Sequence, residues 1–203
     1  MENYICVNNV KIELTAEQVE KLTGGCAGDK IQLKDIPAGE TFRVGEYELV
    51  VLKHDGDQVH VLMKDLLVEE TEFGSNNDFR DSEADDICRE FAEVLADLVG
   101  DENIIEHTVD LTSDDGLKDY GTVQRKVSLL TCNQYREFVE ILDKHKLDEW
   151  WWLVTPYSTP AHENANWVKC VSPRGFIGNG ISCSGVNGVR PFCILNSNIF
   201  VSK

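Results

Sequence analysis

Residues 150–156 read Trp-Trp-Trp-Leu-Val-Thr-Pro, and residues 188–195 read Gly-Val-Arg-Pro-Phe-Cys-Ile-Leu. Both segments are short and rich in aromatic and β-branched residues, a pattern typical of β-strands. Between them, residues 175–188 are rich in Gly, Ser and Asn, which is typical of loops. The C-terminal quarter is therefore predicted to consist of short strands joined by long loops.

A β-hairpin is predicted upstream of this region. Apolar residues alternate along residues 41–67, with a turn signal at Asp55-Gly56-Asp57. At the N-terminus, residues 4–7 and 10–14 are predicted strands, and Thr15 is a candidate N-cap for a helix that ends at Gly24. We expect residues 1–27 to form a strand-helix appendage and residues 28–203 to form the main domain.

Two further helices are predicted within the main domain. Ser82 is a candidate N-cap for a helix that Gly100 ends, and Thr131 with Gln134 is a candidate capping box for the other. The apolar positions in both segments follow helical spacing. The sequence therefore predicts an α+β fold, in which the hairpin and the closing strands form a mixed or antiparallel sheet against two helices.

The charge balance argues against several classes of partner. The chain of 203 residues has 19 basic and 36 acidic side chains, a formal charge of −17. Such a surface repels phosphate backbones and anionic lipids, so we expect no binding to nucleic acid or membranes. The N-terminal sequence lacks the basic region and long apolar run of a signal peptide, which predicts cytoplasmic synthesis.

The seven cysteines are an odd number without a C-x-x-C pair, so the spacing indicates neither a disulfide framework nor a zinc site. We expect reduced thiols, no metal and no cofactor. Acidic pairs such as Asp114-Asp115 are interpreted as solvated turn residues, with a structural ion as the alternative.

Several motifs, in this order, resemble a family of gut-bacterial and phage proteins. They are Asn77, Asp78, Arg80 and Ser82 at a helix start, the strand and helix start of residues 127–135, the Trp-rich strand, and Gly188-Val189-Arg190-Pro191. The resemblance covers residues 40–200. In that family the Trp-rich strand reads W-W-L-R-S-P, whereas Val154 and Thr155 stand here in place of the Arg and Ser.

The resemblance implies a C-type-lectin-like fold, as in formylglycine-generating enzymes and in the variable proteins of diversity-generating retroelements. Those variable proteins bind ligands, and their Asn codons are scattered to any NNY codon just before a constant closing strand. NNY codons cannot encode Lys, Gln, Glu, Met or Trp, and none of these occurs from Cys170 to Ser202. The alternative is a plain glycine-rich loop, in which Lys, Gln and Glu are scarce anyway.

The resemblance therefore implies a non-enzymatic display scaffold, phage or phage-derived and in some cases virion-associated. Its candidate variable region is residues 164–188, which would bind a protein or glycan target. The candidate ligand-binding residues are Asn164, Asn166, Ser172, Arg174, Phe176, Ile177, Asn179, Ile181, Ser182, Ser184, Val186 and Asn187. Because random changes in a packed core are costly, we expect those from Ser172 onward to form one exposed surface.

Two other functions remain open from the sequence. One is a cysteine-dependent oxidase of the formylglycine-generating type, which would use Cys170, Cys183 or Cys193 as a thiolate. The other is a structural virion or interaction module without a diversified site. Residues 150–152 are interpreted mainly as core, because a strand alternates its faces, and Arg190 as one partner of a structural ion pair.

Overall fold

A computed structural model describes residues 4–7, 10–13, 30–182 and 184–203 of the chain. The α+β class is confirmed, because several β-strands combine with three α-helices in the described part of the chain. The strands are β1 Tyr4–Val7, β2 Val10–Glu13, β3 Lys30–Gln32, β4 Thr41–Val44, β5 Tyr47–Asp55, β6 Gln58–Met63, β7 Val68–Thr71, β8 Ile104–Ile105, β9 His107–Asp110, β10 Thr122–Arg125, β11 Val127–Ser128, β12 Trp151–Pro156, β13 Trp167–Val171, β14 Ile177–Ile181, β15 Asn187–Val189, β16 Phe192–Asn196 and β17 Phe200–Ser202. The helices are α1 Glu83–Val99, α2 Cys132–Glu137 and α3 Val139–Leu142.

The larger sheet has the order β11-β16-β6-β5-β4-β17-β3, with β8 beside β16 as well. The closing strand β16 pairs with β6, so the predicted union of hairpin and closing strand in one sheet is confirmed. The predicted single hairpin is in fact two, since Gly45, at φ +59°, turns β4 into β5. This turn shifts the alternation by one residue, and Val44 comes to lie opposite Tyr47.

A second sheet carries the C-terminal region in the order β14-β13-β12-β15-β7. Antiparallel pairs join β12 to β13 and β13 to β14, whereas β15 runs parallel to β12. The prediction of short strands in this quarter is confirmed. A further two-stranded ribbon, β9–β10, stands apart from both sheets.

Two apolar cores lie on opposite faces of the large sheet, because neighbouring strand residues point to opposite faces. The first core contains Val61, Cys193 and Phe91 of α1. The second core contains Leu62, Phe192 and Tyr135 of α2. The Trp-rich strand contributes to both, with Trp152 in the first and Trp151 in the second, so core packing is confirmed for these two indoles.

Local capping signals fix the helix starts as predicted. The Ser82 side chain accepts a hydrogen bond from the Asp85 amide, and Gly100, at φ +88°, follows the last turn of α1. Thr131 and Gln134 form the reciprocal capping box of α2. The helix predicted after Thr131 is interrupted at Phe138 and continues as α3, which corrects the expectation of one continuous helix.

At the N-terminus, β1 and β2 pair as an antiparallel hairpin, which confirms the two predicted strands. The helix predicted from Thr15 lies outside the described residues. None of the described helices combines the length and apolar composition that a bilayer-spanning helix requires.

Candidate functional site

The candidate variable region is built around the β13–β14 hairpin. Its register places Trp167 opposite Ile181 and Lys169 opposite Asn179. Residues directly opposite each other in an antiparallel pair share a face. The side chains of Asn179 and Ile181 therefore lie on the same face as those of Trp167 and Lys169.

The other face of β14 is filled by indole rings. A Cβ atom on Gly178 would lie 2.8 Å from the Trp150 ring, and one on Gly180 would lie 2.5 Å from the Trp152 ring. Trp152 is fully buried, and its Nε1 donates to the Thr71 carbonyl at 3.0 Å. Glycine at 178 and 180 thus lets two large rings lie across the strand, and a side chain at either position would require the ring to shift.

An exposed aromatic face is completed by Tyr157, whose amide donates to the Trp167 carbonyl at 2.9 Å. We define the aromatic face as Tyr157, Trp167, Lys169, Asn179 and Ile181. The Lys169 ammonium lies 5.5 Å from the centre of the Tyr157 ring and 3.1 Å from Asp114 Oδ2. Lys169 is buried under its neighbours, whereas both aromatic rings are exposed.

Asn77 fixes the loop that leads into this face. It is fully buried, and its Nδ2 donates to the carbonyls of Ser158 at 2.9 Å and Trp167 at 3.0 Å. Its Oδ1 accepts from the Tyr120 hydroxyl at 2.7 Å. A buried amide with partners on both ends holds loop and strand together, so this motif residue acts as a positioning group.

The acids at 114 and 115 lie in a turn and are exposed, as interpreted from the sequence, and each also has side-chain partners. Asp114 pairs with Lys169, and Asp115 Oδ2 accepts from Ser158 Oγ at 2.6 Å. Hydrogen bonds from Ser113 and Ser158 hold the pKa of the Asp115 carboxyl well below its usual value. Among the residues that the structure describes, no group of three His, Cys, Asp or Glu side chains is arranged to hold a metal ion.

The β13–β14 turn presents two of the predicted residues and buries a third. Arg174 is exposed, and the ring of Phe176, also exposed, meets the Trp150 ring edge-on with centroids 5.5 Å apart. Ser172 is buried, and its Oγ accepts from the Phe176 amide at 3.2 Å. The prediction that Ser172 is exposed is therefore wrong, because it braces the turn.

Ser182 is likewise buried, which corrects its assignment to an exposed binding surface. Its carbonyl accepts from the amides of Phe73 and Gly74, and its amide donates to the Asn166 carbonyl at 2.8 Å. The next residue, Cys183, lies outside the described residues. The two serines whose exposure was wrongly predicted both lie at ends of the hairpin, directly after strands β13 and β14.

The other predicted residues divide by exposure. Asn166, Asn179, Ser184 and Val186 are exposed, and Asn164, Ile177, Ile181 and Asn187 are half-buried. Ile177 packs against the second core. The structure brings Asn179 and Ile181 to the aromatic face and Asn166 to the same end of the hairpin, while Arg174 and Phe176 lie at the opposite end of β14. The predicted single surface is thus two patches.

Three residues of this face, Tyr157, Trp167 and Lys169, are not among the predicted ligand-binding residues. Trp167 opens a short strand, Trp-Val-Lys-Cys-Val, in which positions 167 and 169 alternate with the buried Val168 and Cys170. That alternation, read on its own, would have placed Trp167 on the outer side.

The two described cysteines of the oxidase alternative are buried. Removal from water raises the pKa of Cys170 and of Cys193 to about 12, so both stay as thiols at neutral pH. Cys88 and Cys132 are also free and buried. A reactive thiolate needs an activating neighbour and access, and neither Cys170 nor Cys193 has the exposure.

Arg190 does not form the predicted ion pair. It is 1% exposed, and its guanidinium donates to the carbonyls of Met63 at 2.8 Å, Lys64 at 2.7 Å and His145 at 3.2 Å. The Trp151 ring lies 5.2 Å from its Cζ atom. Burial lowers the pKa of Arg190 to about 10, which leaves it charged at neutral pH. Arg190 therefore ties the closing strand to β6 and to the chain that precedes β12.

Comparisons of the chain with models of protein families, with curated proteins and with solved structures give no match.

Proposed function

We propose that the protein is a ligand-binding scaffold of C-type-lectin-like fold that presents the β13–β14 hairpin and its flanking loops to a protein or glycan target. We further propose that it is a variable protein of a phage or phage-derived diversity-generating retroelement. The observation that carries the binding proposal is the concentration of exposed aromatic rings around this hairpin. Four aromatic side chains there are between 38% and 52% exposed: Trp150, Tyr157, Trp167 and Phe176.

Exposed aromatic rings support a binding role for a physical reason. Tyr and Trp contribute large contact areas at low cost in conformational entropy, and they are enriched at the centres of binding surfaces. A protein that leaves several such rings in water near one hairpin loses stabilisation that burial would supply. A partner that covers these rings supplies the stabilisation that comes from their burial.

The division between fixed and exposed positions also supports the proposal. Arg190, Asn77 and the two glycines of β14 hold the frame through close packing and hydrogen bonds, whereas Asn179, Ser184 and Val186 are exposed. Changes at exposed positions typically alter stability by less than about 0.5 kcal/mol, so a display surface tolerates them.

Two matched libraries test the scaffold. One randomises Asn179, Ile181, Ser184 and Val186. The control library randomises the buried Ser172 and Ser182 together with Gly178 and Gly180, where an added Cβ would meet an indole ring. Most members of the first should resist protease as the parent does, whereas few members of the second should. Selection of the first library against lysozyme and against a mannose polysaccharide should then yield binders, and loss of fold in both libraries would contradict the proposal.

The diversification itself is tested in the surrounding DNA. We expect a near-copy of the codons for residues 164–191, with adenines at the differing positions, beside a reverse transcriptase gene. Absence of such a repeat would leave a fixed binding surface and remove the retroelement from the proposal.

A further inference from the structure

The β9–β10 ribbon has an open edge that faces a cavity. The amide of Leu111 donates to the Gly121 carbonyl at 3.0 Å, so positions 107, 109 and 111 of the first strand bond toward β10. In an antiparallel pair the alternate residues bond to the other side. The backbone N–H and C=O groups of Thr108 and Asp110 therefore point away from β10, and no hydrogen bond to another described residue uses them.

The space beside this edge is a polar groove, which we call the β9 groove. A cavity of about 210 Å³ lies along β9 and is bounded on its far side by Ser128, Thr131, Asn133 and Gln134. A second cavity of about 150 Å³ shares Asp110, Thr131 and Asn133 with it and continues to Asp114, Arg136 and Thr155. The two form one continuous groove between the strand edge and the start of α2.

The unpaired backbone groups along the edge of β9 fit an extended polypeptide. Residues two apart on a strand are separated by about 6.8 Å, and each offers one donor and one acceptor on the same side. Another strand has complementary groups at this spacing, and peptide recognition by strand addition uses them. Apart from the His107 imidazole, no residue that lines the groove is aromatic, which disfavours a sugar ring that needs a stacking surface.

The charges in the groove select the peptide. Asp110 is exposed, and its Oδ1 accepts from the amide and hydroxyl of Thr112, but no basic side chain among the described residues forms an ion pair with it. Asp114, by contrast, is neutralised by Lys169 and Arg136. An uncompensated carboxylate at the edge, in a chain of net charge −17, attracts a basic side chain.

We propose that the β9 groove binds an extended segment of another protein that adds as a third strand to the ribbon and places a Lys or Arg side chain against Asp110. The groove adjoins the aromatic face at Asp114, which pairs with Lys169, but its binding edge is formed by other residues and does not depend on the proposed display function. The backbone groups of Thr108 and Asp110 supply up to four hydrogen bonds, and Asp110 supplies the side-chain preference.

The test uses the full chain and an amidated, acetylated hexapeptide library in which one position is Lys and the others are randomised. Binding is measured by fluorescence polarisation and by amide NMR shifts of the labelled protein. We expect selected peptides to shift the Thr108 and Asp110 amides most. Replacing the fixed Lys by Glu should weaken binding at least tenfold.

Two proline variants form a matched pair. Thr108→Pro removes an outward N–H on the groove edge, and Gln124→Pro removes the outward N–H of the residue directly opposite, on the other edge of the ribbon. Proline is tolerated where the strand N–H faces solvent, so both variants should stay folded by circular dichroism. Thr108→Pro should lose peptide binding and Gln124→Pro should keep it. In Asp110→Asn, which retains the oxygen that bonds Thr112, the preference for Lys should fall at least fivefold.

Three outcomes would overturn the inference. They are equal binding by the two proline variants, no selected peptide that shifts the Thr108 and Asp110 amides, or binding of an oligosaccharide on a glycan array that Asp110→Asn abolishes. The aromatic face is intact in all three variants, so failure here leaves the display proposal to its own libraries.

Discussion

Replacing Arg190 by Met tests whether the buried guanidinium holds the frame of the candidate site. The methionine keeps most of the apolar stem but leaves three carbonyl groups, of Met63, Lys64 and His145, without their donor. The Met63 bond is buried, whereas the other two are partly open to water, which replaces some of the loss. A stranded buried acceptor costs about 1–3 kcal/mol, and contact of a cation with an indole adds about 1 kcal/mol.

Release of a buried charge offsets part of this cost, so we expect Arg190→Met to lower the free energy of unfolding by about 3 kcal/mol. For a chain of this length that is a fall in Tm of about 6–12 °C. Urea unfolding followed by circular dichroism measures it. Arg190→Lys should lose about half as much, because an ammonium reaches fewer of the carbonyls.

The matched control is Arg174→Met, the same substitution at an exposed arginine of the β13–β14 turn. It should change the free energy of unfolding by less than about 0.5 kcal/mol. If Arg190→Met loses less than about 1 kcal/mol, or no more than the control, the guanidinium is not the tie described above.

Three other outcomes follow from named contacts. Gly180→Ala should lower the free energy of unfolding, measured with urea, by about 1–2 kcal/mol because Trp152 is fixed in the core. Gly178→Ala should be nearly neutral because Trp150 is half exposed and can move. Equal effects of the two variants would contradict the assigned faces. Burial lowers the pKa of His107 to about 4, whereas an unfolded chain has a value of about 6.5. The stabilisation is therefore complete above about pH 6.5, and the free energy of unfolding should fall by about 2 kcal/mol by pH 5 as the unfolded state binds a proton. His107→Gln should remove this part of the pH dependence, and an unchanged slope would exclude His107 as its source. The buried thiols of Cys88, Cys132, Cys170 and Cys193 should react with a thiol reagent only after denaturation, and all seven cysteines should titrate then without a reductant; a titre of three or fewer would indicate disulfides.

The parts of the fold predicted from sequence are those set by neighbours along the chain. The N-cap at Ser82 and the capping box at Thr131 depend on residues three positions apart, so both appear as expected. The turn at Gly45 could also be predicted from sequence, because the apolar residues change from even to odd positions between Val44 and Tyr47. Overlooking that change merged two strands into one.

The candidate site was harder to predict from sequence, because it depends on contacts between residues that are distant along the chain. Ser172 and Ser182 look like loop residues, and their burial follows from the register of β14 against β13 and from the approach of Phe73. The partners of Arg190 are carbonyl groups, which carry no residue-specific signal, and those of Met63 and Lys64 come from more than 120 positions earlier in the chain. The rings of Trp150 and Trp152 explain the glycines of β14 only once the strands are paired.

The pairing of β17 with β3 has a consequence for how the chain folds. Val201 lies opposite Ile31, 170 positions earlier, so the large sheet closes only when a very long loop has been brought together. The β13–β14 hairpin joins residues about ten positions apart, and such hairpins form within about 1–10 μs. Refolding should therefore be limited by sheet closure, and Asn179→Ala should leave its rate unchanged in stopped-flow measurements while Val201→Ala slows it. Sequence change in the hairpin is then separated in time, as well as in space, from the step that decides whether the protein folds.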